Sequence, residues 1–156
     1  GQYRDTLAAN GLVMAVSVPE PEKMKEAAWK NTARLLASAS EAGFTPLLLT
    51  ASDPASFSSL IASGKYTQAE SMTLLTSVYY SDYKTLISLN RSNGGAVYFN
   101  DGNIISKWAA RSLPSNRKLG KLIRKDRVEV MLDADGKGKL LFEAFMLYTF
   151  TLMLIL

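Results

Sequence analysis

The chain has 156 residues, of which 47% are hydrophobic and 21% are charged, and it contains neither cysteine nor histidine. These proportions are typical of a folded globular chain, and the length suits one domain with a short appendage. The missing cysteine excludes thiol, disulfide and iron–sulfur chemistry, and the missing histidine excludes imidazole bases and histidine-containing zinc sites. Only oxygen-ligand metals such as calcium and magnesium stay open.

The first part of the chain predicts a strand, a helix and a second strand. Residues 12–17 form an apolar run without helical phase, which is typical of a buried strand. From Pro21 onward, apolar residues recur at helical spacing until Gly43, which predicts one long amphipathic helix. Residues 46–50 are again apolar and predict the second buried strand.

The middle of the chain predicts two capped helices separated by an ambiguous stretch. Asp53 followed by Pro54 is a cap with proline at the first helical position, so a short helix is expected to about residue 63. Residues 64–81 show no clear pattern, and within them residues 72–80 are compatible with a strand, a helical turn or an ordered loop. Asp82 can cap the next helix, which the glycines after Asn93 should end.

A tight hairpin and a final helix complete the predicted core. Residues 96–99 and 103–108 flank the turn sequence Asn-Asp-Gly, and we expect positive φ at both Asp101 and Gly102. After Pro114, apolar residues share one face of a helix that is otherwise basic.

This order of elements predicts an α/β fold of the thioredoxin-like type, a three-layer sandwich with a mixed sheet, plus a hydrophobic C-terminal helix. The first two strands should be parallel, and the hairpin should add an antiparallel edge to the same sheet. The predicted division is a domain over residues 1–127, a linker or turn over 128–139 and the hydrophobic helix over 140–156.

Three blocks also carry a resemblance to a family. Residues 44–52 (FTPLLLTAS), 83–95 (YKTLISLNRSNGG) and 101–108 (DGNIISKW) resemble the thioredoxin-like domain of DoxX-type membrane proteins of Bacteroides-like bacteria. The resemblance extends over roughly residues 12–114 and implies a membrane-embedded parent protein.

The resemblance also shows where a redox site would lie and that this chain lacks one. A thioredoxin-like oxidoreductase has a Cys-x-x-Cys pair after its first strand and a cis-proline before its hairpin. The chain instead has these degenerate redox-site positions: Ser17, Val18, Pro19, Glu20, Pro21 and Gly94. Because both parts are replaced, we expect no catalytic residue, no cofactor-binding residue and no metal ligand.

The end of the chain predicts a membrane segment. From residue 140 to residue 156 every residue is apolar except Glu143, Thr149 and Thr151. Such a segment would be about 25 Å long as a helix, at the lower limit for spanning a bilayer. The alternative is a helix that packs onto the domain or onto a second copy in a homodimer.

A basic segment precedes it, with nine Lys or Arg against four Asp or Glu between residues 111 and 139. Nucleic acid is not expected because residues 109–141 contain no aromatic side chain. Lipid headgroups fit better, and an ordinary solvated helix face is the alternative. The candidate headgroup contacts are Arg117, Lys118, Lys121, Arg124 and Lys125. By the positive-inside rule the domain should lie on the cytoplasmic face of the inner membrane, with the periplasmic face as the alternative.

Two further patterns in the sequence bear on ligand sites. Trp29, Tyr98 and Trp108 could line a pocket together, although buried aromatic residues more often fill a core. Asp133 and Asp135 before Gly136 invite comparison with a calcium loop, but Met131 and Phe142 would then occupy ligand positions, so a polar turn is the better interpretation.

These observations predict a non-catalytic accessory or interaction domain of a bacterial membrane protein, with the membrane part of that protein as its partner. The enzyme-class alternative is a docking component of a membrane redox system whose cysteines lie elsewhere in the parent or in a partner. A third hypothesis is a soluble peptide-binding module whose apolar tail folds back into the core.

Overall fold

A computed structural model describes residues 11–133 of the chain, with side chains as far as residue 124. The predicted hydrophobic helix over 140–156 and the turn around Asp135 and Gly136 lie outside the described residues.

The described residues form five strands, five α-helices and two short 3₁₀ turns. The strands are β1 (Leu12–Val18), β2 (Thr45–Thr50), β3 (Val78–Tyr80), β4 (Gly95–Asn100) and β5 (Asn103–Trp108). The helices are α1 (Glu26–Ala42), α2 (Pro54–Ser63), α3 (Gln68–Ser77), α4 (Tyr83–Leu89) and α5 (Asn116–Asp133). The 3₁₀ turns are Pro21–Lys23 and Ala110–Ser112.

All five strands belong to one mixed sheet in the order β3-β2-β1-β4-β5. β1 pairs in parallel with β2 and antiparallel with β4, so it lies at the centre. β3 extends the parallel half, and β5 extends the antiparallel half through the hairpin. The predicted α/β class, the parallel first crossover and the antiparallel hairpin edge are confirmed.

The central strand is buried on both faces. Met14, Val16 and Val18 point into a core cluster that also receives apolar side chains from α1, α2, α3 and α5. Val13 and Ala15 point to the other face, into a second cluster. This explains why β1 is a continuous apolar run, because a strand covered on both sides has no solvent-facing positions.

The long first helix begins later than the sequence predicts. Pro21–Lys23 forms a 3₁₀ turn, Met24 is extended with ψ 132°, and α1 starts only at Glu26. The predicted end is confirmed, because Gly43 adopts φ 105° and its N–H donates to the carbonyls of Ala39 and Ser40.

The stretch left open by the sequence contains α3 and β3. Thr67 and Glu70 form a reciprocal capping box at the start of α3: the Thr67 hydroxyl accepts from the Glu70 N–H at 3.2 Å, and the Glu70 carboxylate accepts from the Thr67 N–H at 2.9 Å. This Thr-x-x-Glu signature was available in the sequence. β3 follows α3 directly and pairs with β2.

The two predicted aspartate caps are confirmed. The Asp53 carboxylate accepts the Ser56 N–H at 3.0 Å, and the Asp82 carboxylate accepts the Thr85 N–H at 3.0 Å and the Thr85 hydroxyl at 2.6 Å. Hydrogen bonds from Ser56 lower the pKa of Asp53, and those from Thr85 lower the pKa of Asp82. Both carboxylates therefore favour the charged form that the helix N-terminus stabilises.

The last helix begins after Pro114 as predicted and extends to Asp133, past the expected domain end at residue 127. Leu119 is fully buried in the first core cluster, and Leu122 and Ile123 pack against it. Within residues 11–133, no helix combines the length and the apolar character needed to cross a bilayer.

The hairpin turn has the predicted geometry, with φ 48° at Asp101 and φ 84° at Gly102. The turn is also joined to the start of β1. The Asp101 N–H donates to the Gly11 carbonyl at 2.9 Å, and the Gly11 N–H donates to the Asp101 carboxylate at 2.8 Å. The turn therefore sets the register of β4 against β5 as far as the irregularity between Tyr98 and Phe99, and it also anchors the entry to β1.

Replacing Gly102 by valine should destabilise the protein by about 1–3 kcal/mol, because a β-branched residue is strained at positive φ. Denaturant unfolding measures the change. Gly102→Asn is the control, since asparagine tolerates the left-handed region, and it should lose clearly less stability than Gly102→Val. Equal stability of the two variants would contradict the turn geometry.

Candidate functional site

The candidate site lies at the end of the sheet where β1 and β2 both terminate. In open α/β sheets, ligand sites usually lie beyond the carboxyl ends of the parallel strands. Two segments meet there: the loop from β1 to α1, and the loop from α4 to β4. The first contains the degenerate redox-site positions 17–21, and the second contains Gly94.

The structure brings these predicted positions together. The Gly94 N–H donates to the carbonyl of Ser17 at 2.8 Å. The Ser17 side chain is fully buried, and its hydroxyl donates to the Leu86 carbonyl of α4 at 3.4 Å. Val18, Pro19 and Pro21 are also buried, whereas Glu20 is half-buried. The serine at the end of β1 therefore serves as an internal hydrogen-bond donor.

One asparagine side chain closes the gap between the two loops. The Glu20 N–H donates to Oδ1 of Asn93 at 3.1 Å, and Nδ2 of Asn93 donates to the Glu20 carbonyl at 2.8 Å. The Asn93 amide thus satisfies both backbone polar groups of Glu20, as a neighbouring strand would. We call this pair of hydrogen bonds the Glu20–Asn93 clamp.

The backbone conformation beside the clamp favours glycine at position 94. Its φ is 92°, in the region that favours glycine, and a Cβ at this position would lie 2.8 Å from Sδ of Met24. Met24 is the extended residue that separates the 3₁₀ turn from α1. Because a flexible methionine side chain can shift to relieve such a contact, the positive φ is the stronger reason for glycine at position 94.

A second asparagine organises the base of the same loop. Nδ2 of Asn90 donates to the carbonyls of Ala96 at 3.3 Å and Trp108 at 3.0 Å, and its Oδ1 accepts the Ser92 N–H at 3.0 Å. A Cβ on Gly95 would lie 2.5 Å from this amide nitrogen. Sequence reasoning missed the roles of Asn90 and Asn93. The available signal was their position on either side of a predicted loop, where asparagine often bonds to backbone.

An open cleft lies beside the first loop, between the 3₁₀ turn and α2. Its volume is about 560 Å³. Small and hydroxyl-bearing residues predominate in its lining, which consists of Pro21, Glu22, Ser52, Ala55, Ser56, Ser59, Leu60 and Ser63. The hydroxyls can hydrogen-bond to a polar ligand, but the lining holds no base that could activate a serine as a nucleophile apart from the exposed Glu22.

The two charged residues on either side of Pro21 and Glu22 are paired with each other. The Lys23 ammonium lies 3.0 Å from the Glu20 carboxylate, and both are solvent-accessible. The hydrogen bond to Glu20 raises the pKa of Lys23, so the lysine stays charged and does not act as a base at neutral pH.

The three aromatic residues proposed as a pocket lie in the first core cluster or against it. Trp29 and Tyr98 are buried in the first core cluster, where Trp29 packs edge-on against Phe57 at 5.8 Å and Tyr98 against Phe44 at 5.2 Å between ring centroids. Trp108 is half-buried at the edge of that cluster. Trp29 and Tyr98 thus contribute to packing and present no surface to a ligand.

The predicted headgroup contacts form a cationic strip on α5. Arg117, Lys118, Lys121 and Arg124 are exposed, and Lys125 continues the helix with its side chain outside the described part. The Lys118 ammonium lies 5.9 Å from the centroid of the Trp108 ring, within cation–π distance. Among residues 11–133, no three acidic side chains converge as a metal site would require.

Comparison of the chain with protein-family models, with curated proteins and with solved structures found no match.

Asn93→Ala should destabilise the protein by about 1–3 kcal/mol, because it leaves the partly buried N–H and carbonyl of Glu20 without their partner. Thermal and denaturant unfolding measure the loss. Asn31→Ala is the matched control, since Asn31 is exposed on α1 and its truncation should change stability by less than about 0.5 kcal/mol. If the two variants unfold alike, the clamp does not contribute to stability.

Proposed function

We propose that the chain is a non-catalytic, thioredoxin-like accessory or interaction domain of a bacterial membrane protein. The observation that carries this proposal is the Glu20–Asn93 clamp. It closes, with an internal pair of hydrogen bonds, the place where a thioredoxin-like enzyme would have its thiols and receive its substrate.

The topology supports the thioredoxin-like assignment. The central order β2-β1-β4-β5, with β1 and β2 parallel and β4 and β5 antiparallel, matches the arrangement that the sequence resemblance implies. α1 and α5 pack on one face of the sheet, and α4 contributes Leu89 to the other. α2, α3 and β3 then form an addition between β2 and α4.

The chemistry of the site supports the absence of catalysis. No thiol is present anywhere in the sequence, and the hydroxyl of Ser17 is buried and donates to a backbone carbonyl. A nucleophilic serine needs an adjacent base and an open approach for the substrate. Ser17 has a carbonyl as its neighbour and is fully buried.

The enzyme-class alternative, a docking component for cysteines located elsewhere, requires accessible backbone groups beside the first loop. A peptide that bound beside this loop in an extended conformation would pair with the N–H and carbonyl of Glu20. Both groups are already bonded to Asn93. The clamp therefore favours the accessory role.

An accessory role also needs a surface for a partner, and α3 offers one. Met72 and Leu75 lie one turn apart on this helix and are 57% and 42% exposed. Methionine and leucine at such positions supply apolar contact area to a protein partner. The membrane part of the parent protein is the partner that the sequence resemblance suggests.

The purified 156-residue chain should not turn over a protein disulfide in the presence of a non-thiol reductant, because it has no thiol to form a mixed disulfide. Release of insulin chains, followed by turbidity, measures the activity, and an active thioredoxin is the positive control. A rate above that of the protein-free reaction would overturn the proposal.

A second candidate function is contact with an anionic membrane surface through α5. Exposed Arg117, Lys118, Lys121 and Arg124 favour it, because cations close to an anionic bilayer contribute about 1 kcal/mol each. The contact is peripheral and should weaken as salt screens it.

In a sedimentation assay, the chain should bind vesicles containing phosphatidylglycerol and should bind pure phosphatidylcholine vesicles much less. Lys121→Glu with Arg124→Glu should abolish the difference. Lys65→Glu with Lys84→Glu is the matched control, because both lysines are exposed on other elements and the net charge changes equally. Equal loss in both double variants would indicate a general charge effect, and equal binding to both kinds of vesicle would exclude headgroup recognition.

A further inference from the structure

The second face of the sheet is buried, although only a short helix lies over it within the described residues. Its cluster consists of Val13, Ala15, Leu47, Val97 and Phe99. Val13 is 0% and Phe99 is 3% exposed. Of the helices in residues 11–133, α4 alone contributes a side chain to this cluster, namely Leu89.

α4 lies across the end of the sheet that carries the candidate site. The Ser81 N–H, just before the helix, donates to the carbonyl of Thr50 at the end of β2. Asn90, just after it, bonds to Ala96 at the start of β4. Both ends of the helix are therefore held at the same end of the sheet, and its seven residues span only about 10 Å.

The buried cluster continues to the opposite end of the sheet. Val13 pairs with Phe99 and with Thr45, and Phe99 pairs with Ile104. Val13 is separated from Ser17, where α4 makes its contact, by about 13 Å along β1. The described residues therefore provide no helix over Val13 and Phe99, yet solvent does not reach these side chains in the single chain.

α5 starts at the end of the sheet that carries the candidate site, and a helix that runs antiparallel to β5 from there would bring the rest of the chain to the opposite end. The helix follows β5, whose last residue, Trp108, pairs with Ala96 near the candidate site. Its 18 residues span about 27 Å, longer than the strands, and it packs on the first face. Residues 134–139, Ala-Asp-Gly-Lys-Gly-Lys, have the composition of a turn.

We propose that the apolar segment 140–156 covers the second face of the sheet over Val13, Leu47, Phe99 and Ile104. Two properties of the sequence select it. The segment is apolar except for Glu143, Thr149 and Thr151, whereas five of residues 1–10 are polar and their longest apolar run has three residues. Seventeen residues also provide about 25 Å of helix, enough to follow a strand of about 20 Å.

Disulfide trapping in the 156-residue chain tests whether residues 140–156 lie on the second face. Because the sequence has no cysteine, any disulfide must form between the introduced residues. Ile104→Cys is combined in turn with a cysteine at each position from 144 to 151. Ile105→Cys is the matched control, since this neighbour on β5 packs against the first core cluster and Ile104 packs against the second. Oxidation in lipid-free buffer at low protein concentration should trap at least one intramolecular pair with Ile104→Cys and none with Ile105→Cys.

Other results would overturn the proposal. Trapping with neither residue means that the segment lies elsewhere, and trapping only between chains means that a second copy covers the face. Equal trapping with both residues means that the segment has no fixed position. Added vesicles could also abolish the trapping by Ile104→Cys and protect the cysteine of the segment from a water-soluble thiol reagent. The lipid bilayer would then be the preferred environment of the segment, and the assignment would fail.

A second measurement keeps the test decisive if the paired variants fold poorly. Ala15→Cys reports on the second face and Ala39→Cys on the first, and both alanines are fully buried. Adding Phe145→Asp and Leu152→Asp should expose Ala15→Cys to a thiol reagent and leave Ala39→Cys protected. Continued protection of Ala15→Cys would overturn the proposal, as would equal exposure of the two cysteines.

Discussion

The burial of β1 on both faces is the constraint on which the rest of the structure depends. β1 holds together the parallel and antiparallel halves of the sheet, and both faces of its apolar run must be kept from water. Uncovered apolar surface costs about 25 cal/mol per Å². α1 and α5 meet this requirement on the first face, and their amphipathic patterns follow from it. On the second face, α4 is the only helix of residues 11–133 that contributes to the cluster, and it is too short to cover the whole face.

The candidate site differs from an active site in what its polar groups bond to. In an enzyme, donors and acceptors are held ready for a substrate, and some stay unpaired until it binds. Here Asn93 pairs with Glu20, Ser17 pairs with Leu86, and Lys23 pairs with Glu20. These internal partners stabilise the two loops, whereas the buried hydroxyl of Thr50 at the end of β2 has no hydrogen-bond partner among the described residues.

Much of the fold was predictable because its signals are local. The turn at Asp101 and Gly102, the cap at Asp53 and the stop at Gly43 each depend on the backbone preferences of a few neighbouring residues. The start of α1 was predicted wrongly because its helical spacing continues through Pro21–Lys23. There the extended Met24 packs against Gly94, which is distant in the sequence.

The candidate site was predictable only in part, because some of its contacts join residues that are distant in the sequence. The sequence indicated positions 17–21 and Gly94 through a resemblance, and the structure places them side by side. The Glu20–Asn93 clamp joins residues 73 positions apart, so no local pattern indicates it. The roles of Trp29 and Tyr98 were ambiguous, because an aromatic residue that fills a core and one that lines a pocket look the same in a sequence. In the structure both are buried.

Membrane insertion and cover of the second face of the sheet are competing assignments for residues 140–156. If residues 140–156 entered a bilayer, Val13 and Phe99 would lose the cover that we assign to that segment, and insertion would have to offset the cost of exposing them. Contact through α5 has no such cost. α5 lies on the first face of the sheet and Val13 on the second, and the cations of α5 are already exposed. A peripheral association through Arg117, Lys121 and Arg124 is therefore compatible with a fully covered sheet, whereas a membrane-spanning segment requires another cover for the second face.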